Sequence, residues 1–294
     1  MKLINKFYFS IVMIMAWSLL SCAFAATPVV ESFKLDFNTK YQVGARYHCS
    51  FTAELFKFTR VQRSTDSSTR HRSLKVKLIG NMTIIALDAH QMIAECEFTV
   101  DKFSGWLDQR AIKSDLKGKV LTVLFKQKSA QFIIKSDKYQ PLSKQERLLL
   151  SLIFPSILEE NLAEILGPNR QVAIGVVWKP PGSKFFTLFK KHGIKFSSSK
   201  VKLRAELSGR DVLQGRDCFV IEERIKTLNI PSFKFNFTLK VWLPASMEFG
   251  NALKFQRQAV WNASATLPSN TPLVIGHSIS TTVVNSLDFT MIPQ

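Results

Sequence analysis

Hydrophobic and polar residues alternate along most of the chain after residue 30, and this is the period of β-strands. In the clearest segment, 233–243, apolar residues from Phe233 onward take every second position, with lysine, asparagine and threonine between them. Segments 74–86 and 201–207 repeat the pattern. Further strands are predicted near 43–58, 92–106, 119–126, 130–136, 217–227, 252–266 and 273–289. An apolar face on one side and a solvent-exposed polar face on the other are typical of antiparallel sheets. The predicted fold class is therefore mainly β, a large curved antiparallel sheet or half-barrel.

One central segment, about 143–166, has helical periodicity instead. It starts with Ser143-Lys144-Gln145-Glu146, a capping-box pattern in which the serine hydroxyl and the glutamate carboxylate satisfy backbone amides. Gly167-Pro168 predicts its end, and Pro155 predicts a kink or a split into two helices. Its apolar stripe consists of Leu148, Leu149, Leu152, Ile153, Leu162, Ile165 and Leu166. We expect this helical segment to pack on the apolar face of the sheet.

The helical segment divides the chain into a first β-rich half, 27–142, a connector, 143–167, and a second β-rich half, 168–294. Both halves open with the same apolar-Gly-x-x-aromatic pattern. It reads Val43-Gly44-Ala45-Arg46-Tyr47 in the first half and Ile174-Gly175-Val176-Val177-Trp178 in the second. The pattern suggests two similar β halves, with an internal duplication as the hypothesis.

Residues 1–25 have the organisation of a signal peptide. Two lysines precede an uncharged run from Phe7 to Ala26, and Ala23-Phe24-Ala25 matches a signal-peptidase site. Cleavage there predicts a periplasmic or secreted protein. Two alternatives tether it to a membrane: an uncleaved signal long enough to span a bilayer, or lipidation of Cys22, since Leu19-Leu20-Ser21-Cys22 resembles a bacterial lipobox.

Three cysteines follow the signal, so at most one internal disulfide can form. Cys49 and Cys96 each alternate with apolar residues and are expected to point to the apolar face. Two interpretations stay open. The thiols are buried as small hydrophobic groups, or they form a Cys49–Cys96 disulfide, which an exported location permits.

The chain is strongly basic, with 40 Lys and Arg against 22 Asp and Glu and a net charge of +18. For an exported protein this favours an anionic membrane surface or envelope polymer as neighbour, and not nucleic acid. Aromatic and basic residues interleave in 184–196, as suits a lipid surface; the alternative is a solvated strand pair. The candidate ligand or membrane contacts there are Phe185, Phe186, Phe189, Lys190, Lys191, Lys195 and Phe196. A second basic cluster comprises Arg60, Arg63, Arg70, Arg72, Lys75 and Lys77.

Catalytic and metal-binding motifs are missing from the sequence, so no catalytic residue, metal or cofactor is predicted. The five histidines do not stand at ligand spacing from one another. Glu95 and Glu97 share a strand face, at a spacing of about 6.6–6.8 Å that overlaps that of paired glycosidase carboxylates. A solvent-facing pair is the favoured interpretation. His48 and Cys49 would point to opposite faces of a strand, so they do not form a dyad.

Two segments of the second half carry a family resemblance. They are Gln214-Gly215-Arg216-Asp217-Cys218-Phe219-Val220-Ile221, and the hairpin Val241-Trp242-Leu243-Pro244-Ala245-Ser246-Met247-Glu248-Phe249-Gly250 followed by Leu253-Lys254-Phe255. Both resemble strand openings and hairpins of LolA-like lipoprotein carriers and related uncharacterised exported β-sheet proteins. The resemblance implies a curved antiparallel sheet with helices over its concave face and an apolar cleft for acyl chains.

The export signal, the 24 phenylalanines and the basic aromatic segment together favour a non-enzymatic envelope protein that binds a lipid or other amphiphilic ligand. The alternative is a structural module that binds a protein or polyanion through a basic face. A hydrolase whose residues converge only in three dimensions is a third hypothesis.

Overall fold

Extended strands make up most of the computed structural model. It describes residues 31–35, 37, 41–62, 66–126, 129–135, 141–154, 166–167, 170–181, 200–228, 233–246, 253–267 and 277–294. The strands are β1 Ser32–Leu35, β2 Arg46–Gln62, β3 Ser67–Leu87, β4 Ile93–Leu107, β5 Arg110–Ala111, β6 Val120–Lys126, β7 Ser129–Lys135, β8 Arg170–Ala173, β9 Val177–Trp178, β10 Val201–Leu213, β11 Arg216–Thr227, β12 Phe233–Pro244, β13 Lys254–Leu267 and β14 His277–Pro293. Helix α1 is Lys144–Leu150. The long strands confirm the predicted segments.

Within the described residues, twelve strands pair into one antiparallel sheet in the order β7-β6-β4-β3-β2-β14-β13-β12-β11-β10-β9, with β5 added beside β4. Strands β1 and β8 form a separate two-stranded sheet. The large curved antiparallel sheet predicted from the sequence is confirmed. Its centre is the pairing of the last strand with the first long one, from Pro293 opposite Tyr47 to Ser278 opposite Gln62. Residues 33–294 form one compact unit, so both halves of the chain share a single sheet.

Helix α1 begins as its sequence predicts. The Ser143 hydroxyl accepts a hydrogen bond from the Glu146 amide at 3.1 Å, and the Glu146 carboxylate accepts one from the Ser143 amide at 2.9 Å. The Ser114 hydroxyl donates a further hydrogen bond to Glu146, at 2.5 Å, so the cap also fastens the helix to the loop before β6. The predicted kink at Pro155 and the rest of the helical segment to residue 165 lie outside the described residues.

The helix end packs against the sheet of the first half and fills its apolar face. Three rings meet there: Phe154 lies 5.9 Å from Phe51 and 5.8 Å from Phe98, and the two sheet rings are 5.8 Å apart. Leu149 and Leu150 are buried in the same cluster. We call the face that carries these side chains the core face of the sheet, and the opposite one the outer face. Aromatic packing of this kind is worth about 0.5–1.5 kcal/mol per pair beyond area burial.

The turns that open the two halves have the same geometry. Gly44 has φ +84° and Gly175 has φ +83°. The amide of Gly44 donates to the Ile84 carbonyl at 2.8 Å, and that of Gly175 donates to the Leu207 carbonyl at 2.8 Å. Left-handed backbone of this kind favours glycine over residues with a Cβ, which explains why the sequence pattern keeps glycine at both positions.

The strands that follow these turns are also equivalent. In the first half, Tyr47, Met82, Phe98 and Leu121 lie opposite one another on β2, β3, β4 and β6. In the second half, the same positions on β9, β10, β11 and β12 are Trp178, Ala205, Glu223 and Leu239. Each half has a β-bulge at the matching place, after Ile84 and after Leu207. The order β7-β6-β4-β3-β2 thus recurs as β13-β12-β11-β10-β9, with β14 between the two copies.

Of the two interpretations for Cys49 and Cys96, the disulfide is absent from the structure: Cys49, Cys96 and Cys218 are all free and buried. Cys49 lies on β2 and Cys96 on β4, and β3 runs between them. Strands are spaced about 4.8 Å apart, so residues two strands away are separated by at least about 9 Å. A disulfide requires Cα atoms within about 7 Å. The buried-thiol interpretation is the one that the geometry supports.

Candidate ligand-binding face

The core face of the second half carries a continuous apolar surface. Its buried members are Trp178, Val201, Leu203, Ala205, Leu207, Phe219, Ile221, Ile225, Phe235, Phe237, Leu239, Val241 and Leu243. Leu35, Phe37, Leu166 and Val172 belong to the same cluster and cover part of it. The indole nitrogen of Trp178 donates to the Leu166 carbonyl at 2.6 Å, which fixes one edge. This face differs from that of the first half because charged residues interrupt it.

Glu223 and Arg257 are the two charged residues of this face that lie in one row. Glu223 is opposite Leu239 on the neighbouring strand, and Leu239 is opposite Arg257 on the next. Glu223 is completely buried, with 0 % of its surface exposed, whereas Arg257 is half-buried. A buried carboxylate costs several kcal/mol in desolvation unless it is compensated. Glu223 therefore places an ionisable group at a buried position whose neighbours on the core face are apolar.

Three phenylalanines and one tryptophan form an aromatic wall farther along the same face, toward the end where the longest strands project. Phe233, Phe235 and Phe237 follow one another on β12, and the rings of Phe235 and Phe237 are stacked at 6.3 Å. Trp261 on β13 is opposite Phe235. Phe235 and Phe237 are buried, while Phe233 and Trp261 are half-buried.

A cationic strip continues the row of the aromatic wall. Trp261 is opposite Val283 on β14, Val283 is opposite Lys57 on β2, and Lys57 is opposite Arg72 on β3. Lys57 and Arg72 are both exposed. With strands about 4.8 Å apart, Lys57 stands about 10 Å from Trp261 along the row. The core face thus changes from aromatic to cationic over two strands.

This arrangement can bind a molecule that has an apolar body and an anionic end. Aromatic side chains contribute large contact areas and accept apolar chains or rings. Lysine and arginine bind carboxylates and phosphates, and arginine can do so with two hydrogen bonds. The spacing between the wall and the strip is about that of a short stretch of acyl chain. No covalent chemistry is needed for this role.

The outer face of the second half holds a tryptophan between two lysines. The ammonium groups of Lys240 and Lys254 lie 4.9 Å and 4.7 Å from the centre of the Trp242 ring. The Trp242 indole donates to Asp211 at 2.8 Å. This hydrogen bond is the main reason that the pKa of Asp211 is lowered, and the Val212 amide lowers it further. Since Trp242 is buried with Cys218, Val220, Leu253 and Ile292, we regard this cluster as structural.

The sequence candidates for chemistry do not converge on a reactive centre. His48 hydrogen-bonds the Asn81 side chain at 3.1 Å, and Asn81 donates to Asp101 at 3.2 Å, so an amide separates the imidazole from the carboxylate. The described part of the chain contains no group of three histidine, cysteine or acidic residues placed to hold a metal ion.

Burial suppresses the reactivity of the thiols. It raises the pKa of Cys96 to about 12, and the neighbouring Glu95 and Glu97 carboxylates add to the effect. Burial likewise raises the pKa of Cys49 well above its usual range and raises that of Cys218. A thiol is nucleophilic only as the thiolate, so these cysteines are inert near neutral pH.

The candidate contact residues between Phe185 and Phe196, and Cys22 with the whole of residues 1–30, lie outside the described residues. The sequence pattern alone did not place Glu223, Arg257 and Trp261 on a shared face. A signal for them exists: Glu223 takes an apolar-phase position between Ile221 and Ile225, and Arg257 does so between Phe255 and Ala259. A charge in the buried phase of a strand is the pattern that would have found them.

No helix within the described residues is long and apolar enough to cross a membrane. No protein-family model matches the chain, and neither does any curated protein sequence.

Sixteen solved chains match the structure, and the following three are among them. A DUF1329 family protein from Desulfovibrio piger is 10 % identical, with 84 % of this chain and 85 % of that chain covered and a TM-score of 0.16. A domain ascribed to outer membrane lipoprotein sorting, from Vibrio parahaemolyticus, is 14 % identical, with coverage of 82 % and 83 % and a TM-score of 0.14.

The third is the TodX monoaromatic hydrocarbon channel in its deltaS2 mutant form, 8 % identical, with coverage of 86 % and 91 % and a TM-score of 0.20. The resemblance to lipoprotein-carrier-like proteins seen in the sequence thus recurs among the structural neighbours, at low TM-score. Likeness at this level carries no weight for function, which has to be argued from the residues themselves.

Proposed function

We propose that this protein is a non-enzymatic protein of the cell envelope that binds an amphiphilic ligand with an anionic group, on the core face of its sheet between β12 of the second half and β3 of the first. One observation carries the proposal: Phe235, Trp261, Lys57 and Arg72 lie in a single row that changes from aromatic to cationic. The apolar body of the ligand would lie on the aromatic wall, and its anionic group would reach Lys57 or Arg72. The signal-like segment 1–25 supports export.

The first test asks whether the protein carries such a ligand when it is purified. The full chain is produced with its export segment, extracted with organic solvent and analysed by mass spectrometry. The proposal expects fatty acids or phospholipids in stoichiometric amount. A clean extract would contradict it only together with failure of the titration that follows.

The second test measures binding directly with a fluorescent fatty acid. Trp261→Ala removes part of the wall, and the double variant Lys57→Gln/Arg72→Gln removes the cationic strip. Each is expected to weaken binding at least about tenfold, since burial of a large apolar side chain and a charge-assisted hydrogen bond are each worth about 1.5–3 kcal/mol. Lys102→Gln/Lys117→Gln removes two exposed lysines elsewhere and should leave binding unchanged.

The alternative of a protein- or polyanion-binding module predicts a different outcome. In that case the purified chain carries no lipid, the fatty acid does not bind, and binding of a soluble polyanion collapses between low and high salt. Retention of fatty-acid binding at high salt would favour the amphiphile, because apolar contact is not screened.

A further inference from the structure

Strands β2 and β3 project beyond the rest of the first half as a hairpin. Their pairing runs from Arg46 opposite Thr83 to Gln62 opposite Ser67, whereas β4 leaves β3 at Leu74 opposite Leu107. Asp108 closes that corner through two hydrogen bonds with the Ser73 backbone, each 2.8 Å. With a rise of about 3.4 Å per residue, the hairpin extends about 20 Å past the end of β4. On the other side β14 and β13 accompany it, and β12 does so as far as Phe233, which lies in the row of Ala263, Thr281 and Thr59.

The charge of this projection has one sign. Between Leu55 and Leu74 the sequence has five lysines and arginines and a single acid, Asp66. The accompanying segments 258–267 and 277–287 contain no acidic residue. The nearest described ion pair, between Lys75 and Glu54, lies at the base of the hairpin. The positive charge of Lys57, Arg60, Arg70 and Arg72 is therefore presented to solvent, where all four side chains are exposed.

Aromatic residues are interleaved with these charges on β2. Phe56 and Phe58 lie on the outer face, where Phe56 is 41 % exposed and Phe58 is half-buried. Arg60 follows on the same face, nearer the tip, whereas Arg70 is opposite Thr59 and so lies on the core face. Arginines on both faces near the end of a projection suit a bilayer surface, where guanidinium groups meet lipid phosphates.

We propose that the projecting hairpin docks tip-first on an anionic membrane surface, with Arg60 and Arg70, one on each face near the tip, binding lipid phosphates. Charge complementarity carries the proposal, because the end of the projection presents cations on both of its faces. An edge strand also uses charge simply to prevent pairing with other chains. That role gives no preference among vesicles, so a vesicle assay separates the two. The proposal stands independently of ligand binding on the core face.

The test uses the full chain and sedimentation with two kinds of vesicle, phosphatidylcholine alone and phosphatidylcholine mixed with phosphatidylglycerol. Each variant is compared with the wild-type chain on the same vesicles, so any contribution from residues 1–30 is common to both. Arg60→Glu/Arg70→Glu is expected to lower the partition onto anionic vesicles by about thirtyfold or more, since each basic residue near such a surface contributes about fivefold. Phe56→Ser, opposite Ser73 at the base of the hairpin, should change it by less than about twofold. Lys102→Glu/Lys117→Glu changes the net charge equally and should cost less than about threefold.

Three results would overturn the proposal. The first is wild-type protein with no preference for anionic vesicles. The second is an equal loss from both charge-reversed pairs, which would reduce the effect to net charge. The third is binding to heparin without binding to vesicles, which would assign the hairpin to a soluble polyanion. Urea unfolding midpoints check that every variant is folded.

The fatty-acid titration keeps this proposal separate from the ligand site. Arg60→Glu alone, on the outer face, should still bind the fluorescent fatty acid in the absence of vesicles, because Lys57, Arg70 and Arg72 on the core face are intact. Trp261→Ala should lose the fatty acid and keep its affinity for anionic vesicles. A hairpin variant that lost both would show that the two surfaces are one site, and would contradict independent docking.

Discussion

The two halves of the molecule share a backbone and differ in what they place on it. At matching positions, the first half has Phe98 where the second has Glu223. Phe98 is fully buried and packs edge-on against Phe154, which follows helix α1. Glu223 is equally buried but has an ionisable carboxyl group, and Arg257 lies two strands away in its row. The first half is thus a closed apolar core, while the second retains polar groups on the same face.

The residue beside this position on the neighbouring strand also differs between the two halves. Gly80 on β3 leaves room for the Phe98 ring: a Cβ there would lie 2.6 Å from the ring and would overlap the Thr99 carbonyl oxygen. The matching residue on β10 is Leu203, which is buried in the core of the second half. Ring plus glycine in one half corresponds to carboxylate plus leucine in the other. The exchange moves side-chain bulk from one strand to its neighbour, as close packing of a core requires when a large ring is replaced.

This comparison indicates where the molecule is built for stability and where for binding. In the first half, an apolar core face covered by a helix is sufficient for a stable core, and no polar group is required on it. A face that keeps a glutamate and an arginine among apolar side chains gives up stability, and such concessions are typical of functional sites. The first half is the reference for this comparison, because its matching positions show which side chains the same arrangement of strands accommodates when only packing is required.

The largest effect is expected when the charge of the second half is placed in the first. Phe98→Glu removes a ring from between Phe51 and Phe154 and buries a carboxylate there. Loss of a buried phenylalanine costs about 3–5 kcal/mol, and the buried charge adds to it. Urea unfolding should therefore show a loss above about 4 kcal/mol or no folded protein. Phe98→Leu, which keeps the site apolar, should cost clearly less. Equal losses would mean that packing alone, and not charge, distinguishes the halves.

A smaller loss is expected from filling the space under the Phe98 ring. Gly80→Ala forces the ring and the Thr99 backbone to move, and overpacking of this kind costs about 1–3 kcal/mol. The double variant Gly80→Ala/Phe98→Leu tests the coupling, because the smaller side chain gives the new methyl group room. Its cost should be less than the sum of the single variants in urea unfolding. Additive losses would contradict the idea that the two positions form one packing unit.

Most of the sheet could be predicted from the sequence, because strands with one buried face carry a period-2 pattern. Segment 233–243 is an example, and so is 201–207. The short strands β1, β5, β8 and β9 were not predicted, because two to four residues are too few to show an alternating pattern. The order of the strands could not be predicted, because no local feature of the sequence of β14 or β2 indicates that the last strand pairs with the first long one.

For the same reason, the candidate site could be predicted only in part from the sequence. Its members come from β2, β3, β12 and β13, so Lys57 and Trp261 are about two hundred residues apart in sequence and share a row only through the pairing across β14. The apolar-Gly-x-x-aromatic pattern, in contrast, is local and correctly identified equivalent turns. Residues whose role depends on long-range register cannot be assigned before that register is known.

A moderate effect is expected from removing the charge that distinguishes the second half. Glu223→Gln keeps the shape of the side chain, and we expect a stability change of no more than about 2 kcal/mol, as for other single buried polar changes. Binding of a fluorescent fatty acid should become several-fold tighter, because an acidic group is removed from the face proposed to bind an anion. Weaker binding would contradict this and would instead assign Glu223 to holding Arg257 in place. Glu222→Gln on the outer face, in an ion pair with Arg224, is the control.

The smallest effect tests the equivalence of the halves themselves. Gly44 and Gly175 have φ angles of +84° and +83°, and a Cβ at either position would meet no atom within 4 Å. Gly44→Ala and Gly175→Ala should therefore cost only the left-handed backbone strain, about 1 kcal/mol each, and the two losses in urea unfolding should agree closely. Gly209→Ala is the control, since it too has open space but no positive φ, and it should be neutral or slightly stabilising. Because the sheet is continuous through β14, both turns are read out by the same unfolding transition. A cost confined to one turn would break the correspondence on which the comparison of Phe98 with Glu223 depends.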